Sequence, residues 1–291
     1  MLVMLLLPLI LLAAAGCLLA RINWLKEGWH HGLAEITSKF LLPAFLFTGA
    51  YKNGLPASVS WQIMAAFYVP MVALFAVAAW GLRRQPGSAL AASYSNNVFV
   101  GIPVLVAAFG ETSLQFAYPI IAFHTLLNFL LYFLAQGGAH IGRALLSALT
   151  HPIVVSLMAG LAMNLLNRAV PTPIAKALGM LAATALPCAL LALGASLAKL
   201  KLQSAAAGAG VAAVKLLVLP AAVLACASAL AIPAAALPVL VLMSACPVGV
   251  NAGTLVQAEG KDPGVVNSAI LLSSVACIVT IPMWLWIVGA A

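Results

Sequence analysis

The sequence predicts an all-α polytopic membrane protein: ten transmembrane helices in two inverted five-helix repeats, with helices 4 and 9 broken. Three observations carry this. The 291 residues include only 13 Lys or Arg and 5 Asp or Glu, against 65% hydrophobic residues, and the mean hydropathy is +1.16. A soluble domain carries roughly a quarter charged residues, and so few could not cover a soluble surface of this size. Second, short charged or Gly/Pro-rich breaks divide the chain into ten apolar stretches, each near the roughly 20 residues that span a bilayer. Third, an offset of 144 superposes Pro8 on Pro152, Gly16 on Gly160, Pro43 on Pro187 and Pro103 on Pro247.

The segments follow in order. Segment 1, about 2–20, has no charge before Arg21; a signal peptide wants a basic start, so it reads as a first span. Segment 2, about 33–51, carries Pro43. Segment 3, about 59–82, stops at Arg83-Arg84-Gln85-Pro86-Gly87. Segments 4 and 5 cover about 88–109 and 112–136. Segment 6, about 148–167, opens near His151-Pro152, and segment 7, about 174–198, holds Pro187. Segments 8, 9 and 10 cover about 205–231, 235–257 and 264–289. Residues 1–136 thus form the first five-helix repeat, 137–147 a short cytoplasmic connection and 148–291 the second repeat. Five is odd, so the second repeat enters the membrane from the opposite side.

Basic residues set the orientation. With the N-terminus outside, the inside loops hold Arg21, Lys26, Arg83, Arg84, Arg143, Lys199, Lys201 and Lys261. The outside loops hold only Lys52, Arg168 and Lys176, a positive-inside bias that puts both termini outside. The net charge of +8 is dispersed and forms no nucleic-acid stripe. The cysteines Cys17, Cys188, Cys226, Cys246 and Cys277 are isolated within apolar stretches and read as free thiols, with no metal spacing. The tryptophans, Trp284 and Trp286 among them, stand mostly near segment ends, as an aromatic belt would.

Segments 4 and 9 are the most irregular. One reads Ser93-Tyr94-Ser95-Asn96-Asn97-Val98-Phe99-Val100-Gly101-Ile102-Pro103; the other reads Ser244-Ala245-Cys246-Pro247-Val248-Gly249-Val250-Asn251. Proline removes a helical hydrogen bond, and freed backbone groups in hydrocarbon need protein or a cavity to satisfy them. Matched Gly/Pro-interrupted helices in two inverted halves point to a transporter's central site. Asn96, Asn97 and Asn251 supply donors and acceptors without charge. No Asp or Glu falls at mid-membrane: Glu27, Glu35, Glu111, Glu259 and Asp262 all lie in loops or near segment ends. A carboxylate relay, a carboxylate-based sodium cage and metal-dependent catalysis therefore lack residues. The deep ionisable groups are His124, with Asn128 one turn on, and Lys215, five residues before Pro220. The first pair reads as proton-responsive, substrate-contacting or simply an interhelical bond. Lys215 reads as an anion ligand, a partner for a half-helix C-terminus or a snorkelling side chain. Enzyme motifs are absent, so no catalytic residue and no cofactor is expected.

These residues resemble the auxin efflux carrier family, which includes plant PIN carriers and bacterial permeases described as malonate transporters. The resemblance runs over nearly the whole chain. It rests on Gly16 to Arg21, Leu41-Leu42-Pro43-Ala44-Phe45-Leu46-Phe47, Asn96 to Pro103, Leu193 to Ala198, Lys215-Leu216 with Pro220, Pro247 to Asn251 and Asn267 to Pro282. It implies a fold related to the bile acid:sodium symporters, with helices 4 and 9 crossing at their prolines. Helices 1, 2, 6 and 7 would form a scaffold, and helices 3–5 and 8–10 a transport domain moving as an elevator. The substrate would be a small organic anion, malonate- or auxin-like. By the matched motifs Asn96, Gly101, Pro103, Pro247 and Asn251 inherit the site role. Asn97, Gly249, His124, Asn128 and Lys215 complete the candidate set.

Three differences stand out. The long hydrophilic loop of plant carriers is missing, which favours a bacterial-type member in an inner membrane. His151 precedes Pro152 where Asn is usual, and the crossover has Asn251 where sodium-coupled relatives use an acid. The expected partners are the anion, membrane lipid and a second copy through the scaffold helices, and not nucleic acid. The rival readings are a sodium-coupled organic anion symporter and, from other classes, a passive channel or a membrane-embedded enzyme.

Overall fold

A computed structural model of the chain describes residues 2–22, 24, 28–56, 60–81, 85–138 and 141–289. Lys26, Glu27, Arg83 and Arg84 lie outside the described residues. The elements are α1 (Leu2–Arg21), α2 (Trp29–Ile36), α3 (Leu42–Asn53), α4 (Trp61–Gly81), α5 (Pro86–Ser93), α6 (Ile102–Phe109), α7 (Leu114–Ala135) and α8 (Ile141–Leu149). There follow α9 (Pro152–Leu165), α10 (Thr172–Lys199), α11 (Ala205–Ala213), α12 (Leu219–Ala229), α13 (Leu237–Ala245), α14 (Asn251–Ala258) and α15 (Gly264–Ile287). Among the described residues the only extended pairing is an isolated antiparallel bridge between Ser95 and Val248. Six continuous helical stretches there are long and apolar enough to cross a bilayer: Trp29–Asn53, Trp61–Gly81, Glu111–Ala135, Thr172–Lys199, Ala205–Ala229 and Gly264–Ile287. The chain is an all-helical, polytopic integral membrane protein. The connection expected over 137–147 contains most of the short helix α8.

Among the described residues three π turns occur: Thr37–Leu41 and Val214–Val218 between two helices, and Asn97–Gly101 leading into α6. Each ends two residues before a proline, namely Pro43, Pro103 and Pro220. A proline inside a helix cannot donate to the carbonyl four residues back, and its ring crowds that carbonyl. Widening the preceding turn relieves the crowding. The freed carbonyl needs another donor, because hydrocarbon offers none. At Pro220 the freed carbonyl is that of Leu216, and Trp284 Nε1 donates to it at 2.8 Å. Trp284 is therefore buried, unlike Trp24, Trp61, Trp80 and Trp286, which are exposed as an aromatic belt requires.

The chain forms two compact units. The first comprises Met1–Ala57, Ile102–Ala122 and Ser147–Lys199. Within it α1 packs along α10, and α3 packs along α9 and α10. Lipid tails are as apolar as leucine, so close backbone approach at small residues holds such pairs rather than hydrophobic exclusion. A Cβ at Gly16 would strike the Leu191 carbonyl of α10, and a Cβ at Gly160 would strike the Phe47 carbonyl of α3. The offset that superposes Gly16 on Gly160 also superposes Phe47 on Leu191. The same contact thus occurs twice with the roles of the two halves exchanged.

The second unit comprises Ser58–Gly101, Phe123–Leu146 and Leu200–Ala291. In it α4 packs on α5 and α12, α12 on α13, and α15 on α11 and α13. The prolines superposed by the 144 offset hold different places in their elements. Pro103 is the second residue of α6, whereas Pro247 lies in the non-helical stretch between α13 and α14. Pro8 is inside α1, and Pro152 opens α9.

Candidate functional site

The stretch after α5 leaves the helix at Tyr94, whose φ of −85° and ψ of 112° are extended. Ser93 closes α5 by turning its hydroxyl back to the Ala89 carbonyl at 3.1 Å, and it lies 2.8 Å from Asn128 Oδ1. In the later stretch, Cys246 ends α13 in an extended conformation and α14 starts at Asn251. The two non-helical pieces satisfy each other. The Asn96 amide donates to the Pro247 carbonyl at 2.8 Å, and the Gly249 amide donates to the Tyr94 carbonyl at 3.0 Å. Buried backbone groups demand such partners, and the antiparallel pairing supplies them away from any sheet.

Side chains take the groups that remain. The Ser95 amide donates to His124 Nε2 at 2.8 Å, from α7. The Val248 amide donates to Ser273 Oγ at 3.0 Å, from α15. Lys215, fully buried in the third π turn, donates through Nζ to the Ser244 and Cys246 carbonyls, each at 2.6 Å. Those carbonyls close the C-terminal end of α13, where orphan acceptors and the negative end of the helix dipole favour a cation. Of the three readings open for Lys215, the half-helix C-terminus is the contact it makes.

The aromatic packing explains Gly249. A Cβ there would collide with the Tyr94 ring, so only glycine lets the second stretch lie against it. Tyr94 stacks on His124 with ring centres 5.3 Å apart. Its hydroxyl meets Thr125 Oγ1 at 3.1 Å and also pairs with the Asn251 side chain. At Gly101 a Cβ would stand 3.0 Å from Met243 Sδ and 3.1 Å from Cys246 Sγ.

Of the buried side-chain polar atoms without a hydrogen-bond partner among the described residues, four lie on three consecutive residues, Ser95, Asn96 and Asn97. Asn96 Oδ1 accepts from the Phe99 amide at 3.3 Å, but Asn96 Nδ2 is buried and unpaired. Ser95 Oγ and both side-chain polar atoms of Asn97 are likewise buried and unpaired. Unpaired buried amides are costly and call for an explanation, a ligand being one. Asn251, at the first residue of α14, is exposed. Among the described residues no cluster of three or more His, Cys, Asp or Glu could hold a metal.

The second unit thus brings together Asn96, Asn97, Gly101, His124, Asn128, Lys215, Pro247, Gly249 and Asn251. Pro103 lies one residue into α6, in the first unit. His124 and Asn128 are buried and committed to protein partners: Asn128 Nδ2 donates to the His124 carbonyl at 2.8 Å and approaches Met71 Sδ at 3.1 Å. Sequence reasoning missed Tyr94, Ser95 and Ser273 as participants. The first two stand inside the motif it quoted; Ser273 carries no sequence signal.

The fold is that of an all-helical, polytopic integral membrane protein, and its likeness to known proteins places it among membrane transporters. The family model described as "Membrane transport protein", that of the auxin efflux carriers, matches residues 140–285, and the chain belongs to this family. It is also 26% identical over 292 residues to an "Uncharacterized transporter" of Methanothermobacter thermautotrophicus, covering 96% of this chain and 95% of that protein.

Proposed function

We propose that the protein is a secondary transporter that moves a small organic anion across the bacterial inner membrane by elevator-type alternating access. On this reading helices 4 and 9 are the broken helices of two inverted five-helix repeats, and they cross where Ser95 pairs with Val248. Both termini face outside. The observation that carries the reading is the set of unpaired buried polar atoms on Ser95, Asn96 and Asn97 beside that pairing. An amide donor with no protein partner suits a carboxylate oxygen, and the N-terminal ends of the helices starting at Asn97 and Asn251 add a positive dipole. The exchanged glycine contacts of Gly16 and Gly160 support the inverted repeat.

Thermal stabilisation of the detergent-purified protein tests this against malonate, other dicarboxylates and indole-3-acetate, with and without sodium, at two pH values. A binder raises the midpoint by mass action. The expected result is a shift with one anion that is absent in Asn97→Ala. No shift with any carboxylate, in protein shown to be folded, would overturn the anion reading.

A further inference from the structure

His124 stands in α7 against the first interruption, and its geometry fixes its protonation. The Ser95 backbone N–H can only donate, and it points at Nε2 from 2.8 Å. Nε2 must therefore keep its lone pair, so the ring proton sits on Nδ1. The neutral ring and the imidazolium differ at Nε2, where an imidazolium would need an acceptor and the Ser95 amide can only donate; Nδ1–H has the same surroundings in both. Nδ1 lies 3.4 Å from Asn128 Nδ2, and that amide nitrogen is committed as a donor to the His124 carbonyl at 2.8 Å. Tyr94 stacks on one face and Phe67 presents its ring nearly edge-on at 5.6 Å. Among the described residues Lys215 is the charged side chain that bears on the ring, and its ammonium offers the ring no acceptor. No carboxylate among the described residues is paired with it. A proton on Nε2 would have to expel the Ser95 amide and leave a buried cation without an acceptor.

We propose that His124 is a positioning residue rather than a proton carrier: its neutral Nε2 pins the Ser95 amide and so aims the Asn96 and Asn97 side chains at the substrate. This rests on the transporter reading of the same site and deepens it. Ser95 is held from both sides of the chain, since the next amide, Asn96, is fixed to Pro247 at 2.8 Å. Losing Nε2 frees one end of that short stretch. The consequence for coupling is direct. If protons drive transport, they do not travel on His124, the histidine buried beside the crossing.

Three measurements test this. The first is nitrogen-15 NMR of histidine-labelled protein in lipid at pH 7.5 and 5.5, with His124 identified by its loss in a variant. The Nδ1–H tautomer is expected at both values; an Nε2–H tautomer or an imidazolium overturns the proposal. This reading needs no variant that folds beyond the assignment. The second is hydrogen exchange over residues 94–97. His124→Gln places an amide oxygen near Nε2, so it is expected to retain the protection, whereas His124→Leu is expected to lose about tenfold, the worth of one buried hydrogen bond. Equal protection in wild type and His124→Leu overturns it.

The third is malonate uptake into proteoliposomes between pH 7.5 and 5.5. His124→Gln is expected to restore uptake that His124→Leu loses, with a pH profile of the same shape as wild type. A profile that flattens in His124→Gln shows that the imidazole does titrate and overturns the proposal. If the wild type takes up no malonate while the tautomer and exchange results hold, the substrate reading fails and the assignment of His124 stands.

Discussion

The Lys215 ammonium lies 2.6 Å from the Cys246 carbonyl, at the residue where the chain leaves α13 for the second interruption. A buried lysine usually needs a carboxylate. Here two carbonyls at a helix C-terminus, those of Ser244 and Cys246, serve instead. Lys215→Met removes both donors. It also removes the cost of a buried charge, so the two effects oppose. Carbonyls left unpaired in hydrocarbon cost about 1–3 kcal/mol each, and truncating one partner of a buried charge interaction is usually the larger effect. The expected outcome is a net loss of about 2 kcal/mol, with faster hydrogen exchange confined to residues 244–249. Unchanged exchange there would show that the ammonium does not hold the end of α13.

Trp284 and Pro220 form a second testable pair. Trp284→Phe should leave the Leu216 carbonyl without a donor and destabilise by about 1–3 kcal/mol. Pro220→Ala returns an amide to the position four residues on, so it can donate to Leu216 itself. The double variant should therefore be more stable than the sum of the single changes predicts. Simple additivity in thermal unfolding would refute the pairing.

Gly16 and Gly160 should behave alike. Ala at either position drives a methyl into a backbone carbonyl, of Leu191 or Phe47, and backbone cannot rotate aside as a side chain can. Each change is expected to cost about 1–3 kcal/mol, the range for overpacking. Gly32→Ala and Gly210→Ala meet nothing within 4 Å and serve as controls. If all four variants melt together, the close crossings do not stabilise the first unit.

These contacts mark what the sequence could and could not disclose. Membrane character, the helical class and the irregularity around residues 93–103 and 244–251 follow from composition and from Gly, Pro and Asn placement, which act locally. The 144 offset was visible too, and Gly16 with Gly160 has a shared physical cause in backbone contact. The same offset superposes Pro103 on Pro247, yet one stands in α6 and the other in the stretch before α14, because a proline can sit either within a break or after it. The donor to Leu216 was not legible: Trp284 reads like any interfacial tryptophan until the π turn before Pro220 exposes a carbonyl. Lys215 left three partners open, since a buried ammonium accepts any arrangement of acceptors that folding supplies. Ser273 had no signal, because one hydroxyl on an apolar helix says nothing of the amide it meets.

His151 gives a pH prediction. It precedes α9 with extended φ and ψ of −64° and 130°, and its Nδ1 accepts from the Ile153 amide at 3.3 Å, capping the helix. Burial pushes its pKa below the usual histidine value of 6.5. The unfolded chain then binds the proton more readily than the fold, so stability rises with pH. The contribution is fully present above pH 6.5 and is lost as pH falls through the lower folded value. His151→Asn keeps a strong cap without a titrating group. Its melting point should fall less than that of the wild type between pH 7 and pH 5; parallel falls would exclude His151 as the acid-sensitive group.

Asn97 separates stability from function. Both of its side-chain polar atoms are buried without a partner, and the residue begins the π turn that leads into α6. An amide kept only for packing would be a poor choice, since an unpaired buried polar group costs about 1–3 kcal/mol. Asn97→Leu keeps the branched shape and the number of side-chain heavy atoms and removes that cost. It should melt at or above the wild-type temperature while losing the stabilisation by carboxylates expected of the wild type. Asn96→Ala differs, because Asn96 Oδ1 also accepts from the Phe99 amide; it should lose both binding and some stability. The two variants therefore dissociate the two roles. If Asn97→Leu unfolds early instead, its amide has a structural partner, and the ligand-binding assignment loses its main support.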